Sequence, residues 1–359
     1  MTSIAPMPKQ AVQTTFLQKV LLVVGSAALI LSIMGAAELY CRWFTRINFL
    51  GISRGMFISR AFGDSYGNRP DYRGVAFGAA VQTDANGFRI DPTFRGPTGG
   101  DAVLILGDSV SFGVGVDASK TVAGLLQRAM PQVRFYNSSA IGYGLHDYEN
   151  VAGTLLPRKP DIKSALLFYC LNDIYDTSAQ EIEATVQKID GTGGTPSPFS
   201  SFRAFALATN GYLRSRSKLY LSVKKVLTDP SMRYFRQDFA EYQKRLSNIG
   251  DSLRPLRNIA QELAARGVSF EVLVMPYEAQ VRTKDQSSFL PQTLVDDFLH
   301  RNGIAYYDAA PAFLQSGLPS QSLYLYGDPM HLSEAGHRLS FQFANAELTK
   351  MMQHRAPAD

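Results

Sequence analysis

Leu104–Val116 reads LILGDSVSFGVGV, an apolar run that passes directly into Gly107-Asp108-Ser109. Such a run is a strand buried on both faces, and it leaves Ser109 at its carboxyl end. In open α/β sheets that edge is where ligands bind. A helix beginning just beyond the serine aims backbone N–H groups at it and favours developing negative charge. A Gly-Asp-Ser turn alone is also ordinary loop chemistry. Its meaning therefore depends on what stands at the ends of the other strands.

Working outward, short apolar runs at Ala102–Leu106, Val133–Tyr136, Ala165–Tyr169, Phe270–Met275 and Ile304–Tyr307 read as strands. Amphipathic stretches at Thr121–Met130, Tyr148–Leu156, Asp238–Ala265, Leu294–Arg301 and from Ser333 to about Met352 read as helices between and after them. The alternation predicts an α/β domain: a doubly wound, flavodoxin-like parallel sheet of about five strands between two helical layers. The expected organisation is a flexible tail at 1–19, a transmembrane anchor at 20–41, an irregular juxtamembrane region at 42–100 and the α/β domain at 101–352. A helical, basic insertion at about 176–235 interrupts the domain after a Gly/Thr/Pro/Ser linker, Gly191–Ser200.

Bulk composition fits a globular protein. Of 359 residues, 45% are hydrophobic and 19% charged, which argues against wholesale disorder. A net charge of +5 is mild, and no zinc-finger or RNP-type motif accompanies it, so nucleic acid is not an expected partner. Cys41 ends an apolar segment and Cys170 ends a strand-like run, positions unsuited to pairing as a disulfide. No CxxC, HExxH or Walker-type glycine loop occurs, and neither a metal nor a nucleotide cofactor is implied.

Val20–Ala37 (VLLVVGSAALILSIMGAA) is free of charge and bounded by Lys19 and Glu38. It has about the minimum length for a spanning helix. Small residues at Gly35, Ala36 and Ala37 also suit a cleaved signal peptide, but the apolar run exceeds the ~7–15 residues of a signal core. An uncleaved anchor is the expectation. Lys9 and Lys19 precede the run, while Arg42, Arg46 and Arg54 follow it, a count that leans toward a cytoplasmic catalytic part. A short tail before a single anchor feeding a large exported domain is the competing arrangement, and it is the one expected here.

The second chemical signal is Asp328-Pro329-Met330-His331, followed by Leu332 and Ser333. A carboxylate three residues before a histidine reaches one imidazole nitrogen and leaves the other to take a serine proton. Ser333 suits a helix N-cap, which fixes His331 just before a helix. Asn137-Ser138-Ser139-Ala140-Ile141-Gly142 and Cys170-Leu171-Asn172-Asp173 each follow a predicted strand, on the same sheet edge as Ser109. A glycine N–H and an asparagine amide are the neutral donors an oxyanion hole needs. His337, inside the last predicted helix, reads as a packing or capping residue. Asp173 adjoins Asn172, but the DxxH spacing favours Asp328 as the acid.

In order and spacing these four pieces resemble the blocks of the SGNH (GDSL-type) serine hydrolases over about residues 101–350. The resemblance implies Ser109 as nucleophile, His331 as general base and Asp328 as its orienting acid. It also implies an oxyanion hole from the Ser109 N–H, the Gly142 N–H and the Asn172 side chain. Val110 replaces the leucine of GDSL, and Cys170 stands where glycine is frequent. Asn86-Gly87-Phe88-Arg89 is similar to a segment of bacterial members that carry an N-terminal membrane span, which implies a single-pass inner-membrane protein with an extracytoplasmic catalytic domain. The activity implied is hydrolysis of an acyl ester, with acylated carbohydrate among the substrates. Transfer of the acyl group to a sugar hydroxyl, or a non-catalytic carbohydrate-binding or assembly role, are the alternatives.

In the insertion, Arg203, Arg214, Arg216, Lys218, Lys224, Lys225, Arg233 and Arg236 face only Asp229 in sequence. Leu213, Tyr220, Val223 and Leu227 form one apolar stripe if Tyr212–Leu227 is helical. Two readings stand: a helix packed on the domain by that stripe, or one that lies on anionic headgroups or borders a cleft for an acidic polymer, with Arg214, Lys218 and Lys225 as its contacts.

Overall fold

The computed structural model describes residues 15–45, 47–49, 51–175, 209–210, 212–214 and 216–354. The tail up to residue 14, Arg46, the Gly191–Ser200 linker and Arg203 lie outside the described residues.

Helix α1 (Phe16–Phe44) is longer at both ends than the apolar run that nucleates it. Thr15 and Gln18 form a reciprocal capping box, so the helix starts inside the stretch expected to be tail. At about 1.5 Å per residue its 29 residues extend roughly 43 Å, enough to cross a membrane. None of its most apolar 18-residue stretch is buried.

Residues 42–100 are not irregular throughout. Strand β1 (Phe57–Phe62) pairs antiparallel with β2 (Ser65–Asn68), and β3 (Arg73–Ala76) with β4 (Ala79–Gln82). These strands are short and several of their residues are polar or glycine, so no apolar alternation marks them. Their register comes from tight turns and from packing on the main domain. In the second hairpin Phe77 and Gly78 both take positive φ, +50° and +84°, as a two-residue primed turn requires.

The main sheet holds β5 (Ala102–Gly107), β6 (Arg134–Asn137), β7 (Ile162–Tyr169), β8 (Ser269–Val274) and β9 (Ala305–Asp308), all parallel, in the order β6-β5-β7-β8-β9. All six β5 residues are buried because helices cover both faces. The pleat divides them. Leu104 and Leu106 join the core formed with α4 (Leu145–Leu155), through Tyr148 and Val151, and with the helix Arg254–Ala265 through Leu256 and Ile259. Val103 and Ile105 join the opposite core, with Leu126 of α3 (Val122–Ala129) and with Phe343 and Leu348 of the last helix, Glu334–Gln353. Each such side chain contributes roughly 1.5–3 kcal/mol on burial, so one strand commits the chain to a three-layer arrangement.

From β5 the chain passes outward to β6 and then returns to the other side of β5 to form β7. The crevice between the carboxyl ends of β5 and β7 is therefore the topological switch point, where such sheets bind ligands.

The helix expected at Asp238–Ala265 is broken into Pro230–Lys244, a single turn at Ile249–Ser252, and Arg254–Ala265. Pro255 lacks the N–H an uninterrupted helix needs, and it sits at the start of the last piece, where that loss is harmless. Helix α5 (Lys218–Thr228) likewise begins later than expected. Ser217 caps it, and its side chain accepts from the Tyr220 N–H at 3.0 Å. Glu38, near the end of α1, accepts from the N–H groups of Lys218 and Leu219 at 3.2 and 2.9 Å and from the Ser217 hydroxyl at 2.8 Å. This carboxylate at a helix N-terminus ties α5 to α1 and sets its orientation. The predicted stripe consequently does not pack as one face: Leu221 is buried, whereas Val223 and Leu227 are exposed.

Candidate active site

At the end of β5, Gly107 takes φ +150°, and a Cβ there would lie 2.1 Å from Ser111 Oγ and 3.1 Å from the Phe168 carbonyl. Only glycine fits this approach. The chain then enters the short helix α2 (Ser109–Phe112). Asp108 caps it, and its Oδ1 accepts from the Val110 N–H at 2.8 Å. As the first residue of that helix, Ser109 carries an N–H with no intrahelical partner.

Arg89, in the Asn86–Arg89 segment, secures the other end of α2. Its buried guanidinium donates to the carbonyls of Phe112, Gly113 and Val116, the last two at 2.6 Å, and stacks on the Phe112 ring. A cation among the carbonyls at a helix C-terminus satisfies both their lone pairs and the dipole. The sequence motif marked the segment but not this task.

Asp328 and His331 occupy the loop before the last helix. Asp328 Oδ1 accepts from the Met330 and His331 N–H groups at 3.0 and 2.8 Å, and its Oδ2 lies 2.7 Å from His331 Nδ1. His331 Nε2 lies 2.7 Å from Ser109 Oγ, across 222 residues of sequence. Behind the histidine, the Ser333 hydroxyl caps the last helix by accepting from the Ala335 and Gly336 N–H groups. Burial works against charge on His331, but Asp328, helped by Asp108, outweighs it and raises the imidazole pKa. Burial likewise works to raise the Asp328 pKa, yet His331 and two backbone N–H groups hold the carboxyl below its ordinary value.

Asn172 and Gly142 both stand on this edge, in the loops after β7 and β6. The Asn172 amide donates to Asp108 Oδ2 at 3.1 Å, beside Ser109. Its Oδ1 lies 3.2 Å from the Tyr277 hydroxyl, which donates to Asp238 at 2.7 Å. The helix Pro230–Lys244 thus steadies Asn172 through Asp238 and Tyr277. Gly142 is exposed and makes no hydrogen bond through its N–H among the described residues. Asp173 turns away from the histidine and accepts from the Cys170 N–H at 2.9 Å. Burial and neighbouring Asp108 push its pKa well up. His337 is buried and accepts from the Val122 N–H, a neutral cap on α3, with its pKa pushed down to about 3 by burial and Arg89.

Phe77 was not among the residues singled out in the sequence. Its ring meets the His331 imidazole edge-on, with centroids 5.2 Å apart and planes at 83°. A phenylalanine at φ +50° is strained backbone, and here that strain accompanies a contact with the histidine. Phe77→Asn is expected to relieve the strain, because asparagine tolerates that region, while deleting a ring contact of about 0.5–1.5 kcal/mol. The expected result is an unchanged or raised Tm with kcat/KM on an aryl acetate lowered about two- to tenfold. An unaltered rate would make the ring a mere cover.

Neither the family models nor the curated proteins include a match to this chain. Among solved structures, similar folds include a member of the lipolytic protein G-D-S-L family from Veillonella parvula (11% identity, TM-score 0.37, covering 69% of this chain and 97% of that one). A lipase/acylhydrolase from Enterococcus faecalis is similar at 13% identity and TM-score 0.39, over 69% of this chain and 95% of that one. An acetylxylan esterase from Geobacillus stearothermophilus is similar at 14% identity and TM-score 0.39, over 70% and 94%. Likeness at this level carries no argument, and the chain's own topology is what defines its fold. With its five parallel strands in the order β6-β5-β7-β8-β9 between two helical layers, the chain has the doubly wound α/β fold expected from its sequence, and Ser109, Asn172, Asp328 and His331 gather at the carboxyl edge of its sheet.

Proposed function

We propose that this chain is a serine esterase that cleaves an acyl ester, with acylated carbohydrate among its substrates, through an acyl-enzyme on Ser109. The observation that carries this reading is the continuous contact from Ser109 Oγ to His331 Nε2 and from His331 Nδ1 to Asp328, each 2.7 Å. His331 accepts the Ser109 proton as Oγ attacks the carbonyl carbon. The oxyanion then receives the Ser109 and Gly142 N–H groups and the Asn172 amide. His331 returns its proton to the leaving alcohol. It next deprotonates a water that attacks the acyl carbon, and gives that proton to Ser109 Oγ as the bond from Oγ to the acyl carbon breaks.

In the same reading α1 is a retained single span of a bacterial inner membrane, with the hydrolase domain on the extracytoplasmic side. Its length supports this, as does its uninterrupted course past Ala37 to Phe44. So does the engagement of Glu38 with Ser217, Lys218 and Leu219, which joins the end of the helix to the domain.

The test uses the full chain, purified in detergent from alkaline-washed membranes, where a retained span keeps it. It is expected to hydrolyse 4-nitrophenyl acetate. With a sugar acceptor added, the ratio of free acetate to acetylated sugar reports whether water or a hydroxyl resolves the acyl-enzyme. Absence of turnover on short and long acyl esters alike would sink the proposal.

A further inference from the structure

Beside the triad lies a cleft lined by Arg214, Lys224, Lys225 and Arg233 on one side and by Gly327, Asp328 and Pro329 on the other. Among the described residues, no ion pair engages any of the four cations. Asp328, the carboxylate on the opposite wall, is already committed: Oδ2 to the His331 ring, Oδ1 to two backbone N–H groups. Asp229, the nearest carboxylate in sequence, is paired with Arg282 at 2.9 Å. Neutral groups hold the lysines instead. Lys224 Nζ donates to Asn210 Oδ1 at 2.7 Å, and Lys225 Nζ sits 3.8 Å from the centre of the Tyr326 ring.

Such a cluster opposes its own charge. Burial, followed by Arg214 and Arg233, lowers the Lys224 pKa; burial also lowers that of half-buried Lys225, with Arg282 adding to it and Glu278 and Asp229 opposing it. An anion entering the cleft removes this repulsion. Of the three cations expected to meet anionic headgroups or an acidic polymer, Arg214 and Lys225 line this cleft. Lys218 turns onto the protein, toward the Thr45 carbonyl and the Phe49 ring.

The placement also says which half of a substrate the cleft meets. In acyl transfer the leaving oxygen is the atom that takes the proton from His331 Nε2. The alcohol half therefore lies nearest His331, and Gly327, Asp328 and Pro329, just before it in the chain, form the wall facing the cations. We infer that the cleft of Arg214, Lys224, Lys225 and Arg233 binds a carboxylate or phosphate carried on the alcohol half of the ester. The inference rests on Ser109 as nucleophile and deepens that reading: the substrate is an acidic ester.

Two acetyl esters that differ in one charge test it, 4-acetoxybenzoate and its neutral methyl ester, assayed with the full chain in detergent. A cleft whose uncommitted charges share one sign raises the local concentration of counter-ions by about 10–10³-fold. After correction for the intrinsic reactivity of each ester, the anionic one is expected to have a kcat/KM about tenfold higher at low salt. Raising salt to about 0.5 M should erase most of that preference, because the screening length falls below about 5 Å. The double variant Lys225→Gln, Arg233→Gln is expected to bring the ratio near one, whereas Arg301→Gln, on the exposed face of a distant helix, leaves it in place. Competition by glucuronate or by glycerol 3-phosphate then separates an acidic sugar from a headgroup-type phosphate, and inhibition by neither counts against the inference. A Ser109-dependent turnover with equal ratios, or a preference indifferent to both salt and the double variant, overturns this inference alone. If neither ester is turned over, the nucleophile assignment fails and this inference falls with it.

Discussion

Replacing Ser109 with alanine is expected to lower ester hydrolysis by at least ~10³-fold while the fold stays intact. Loss of a triad nucleophile elsewhere costs up to about 10⁶ in kcat, and the rate that survives comes from the oxyanion donors and binding alone. The structural cost here is small. Ser109 opens α2, and among the described residues its hydroxyl hydrogen-bonds only with His331 Nε2 at 2.7 Å and Asp108 Oδ2 at 3.2 Å. The elements that hold α2 in place are elsewhere: the Asp108 cap on Val110 and the Arg89 guanidinium on the carbonyls at its far end. Alanine is also a good helix former. Circular dichroism and Tm should therefore match wild type. A purified variant that retains more than a few per cent of the rate on an aryl acetate would place the nucleophile elsewhere.

Sequence reading succeeded where a local pattern had only one physical solution. The five main strands emerged within about three residues at each end: β5 and β7 are buried at nearly every position, and the edge strands β6 and β9, only partly covered, still carry short aromatic runs. The contact of Asp328 with His331 was visible because two intervening residues suffice to bring a carboxylate to an imidazole. The Ser333 cap was visible for the same reason. The hairpins at 57–82 were missed because strands of four residues such as Arg73–Ala76 gain their order from partners, not from propensity. The restart at Arg254 did leave a signal, Pro255, which a continuous helix across Asp238–Ala265 does not accommodate. The roles of Phe77 and Arg89 left none. Phe77 meets His331 across 254 residues, and the carbonyls that hold Arg89 carry no side-chain signature. The link from Glu38 to α5 is likewise a product of tertiary placement, since the two segments lie about 180 residues apart.

Asp328→Asn is expected to be the second most damaging change, and to leave a signature in pH as well as in rate. The asparagine keeps size and place but loses the charge that selects the productive imidazole tautomer, a loss worth about 10⁴ in kcat in a comparable triad. In wild type, Asp328 and Asp108 together raise the His331 pKa despite its burial. The imidazole must be neutral to accept the Ser109 proton, so kcat/KM should rise with pH and reach half its plateau above the ordinary ~6.5 of histidine. In Asp328→Asn the residual activity should reach its half-maximum at lower pH, because burial is then opposed by Asp108 alone. Stability moves in the other direction. A histidine whose folded pKa lies above its unfolded value contributes stability that is complete below the unfolded value and is lost as pH rises through the folded one. Asp328, held low, contributes stability above its unfolded pKa of about 3.9 and loses it as pH falls. The Tm gap between wild type and Asp328→Asn should therefore be widest from about pH 4 to the midpoint of the activity limb, and narrow above it. A wild-type rate that stays flat from pH 8 down to 5 would remove His331 from the mechanism. An activity limb that stays where it is in Asp328→Asn would mean that another group sets the histidine's charge.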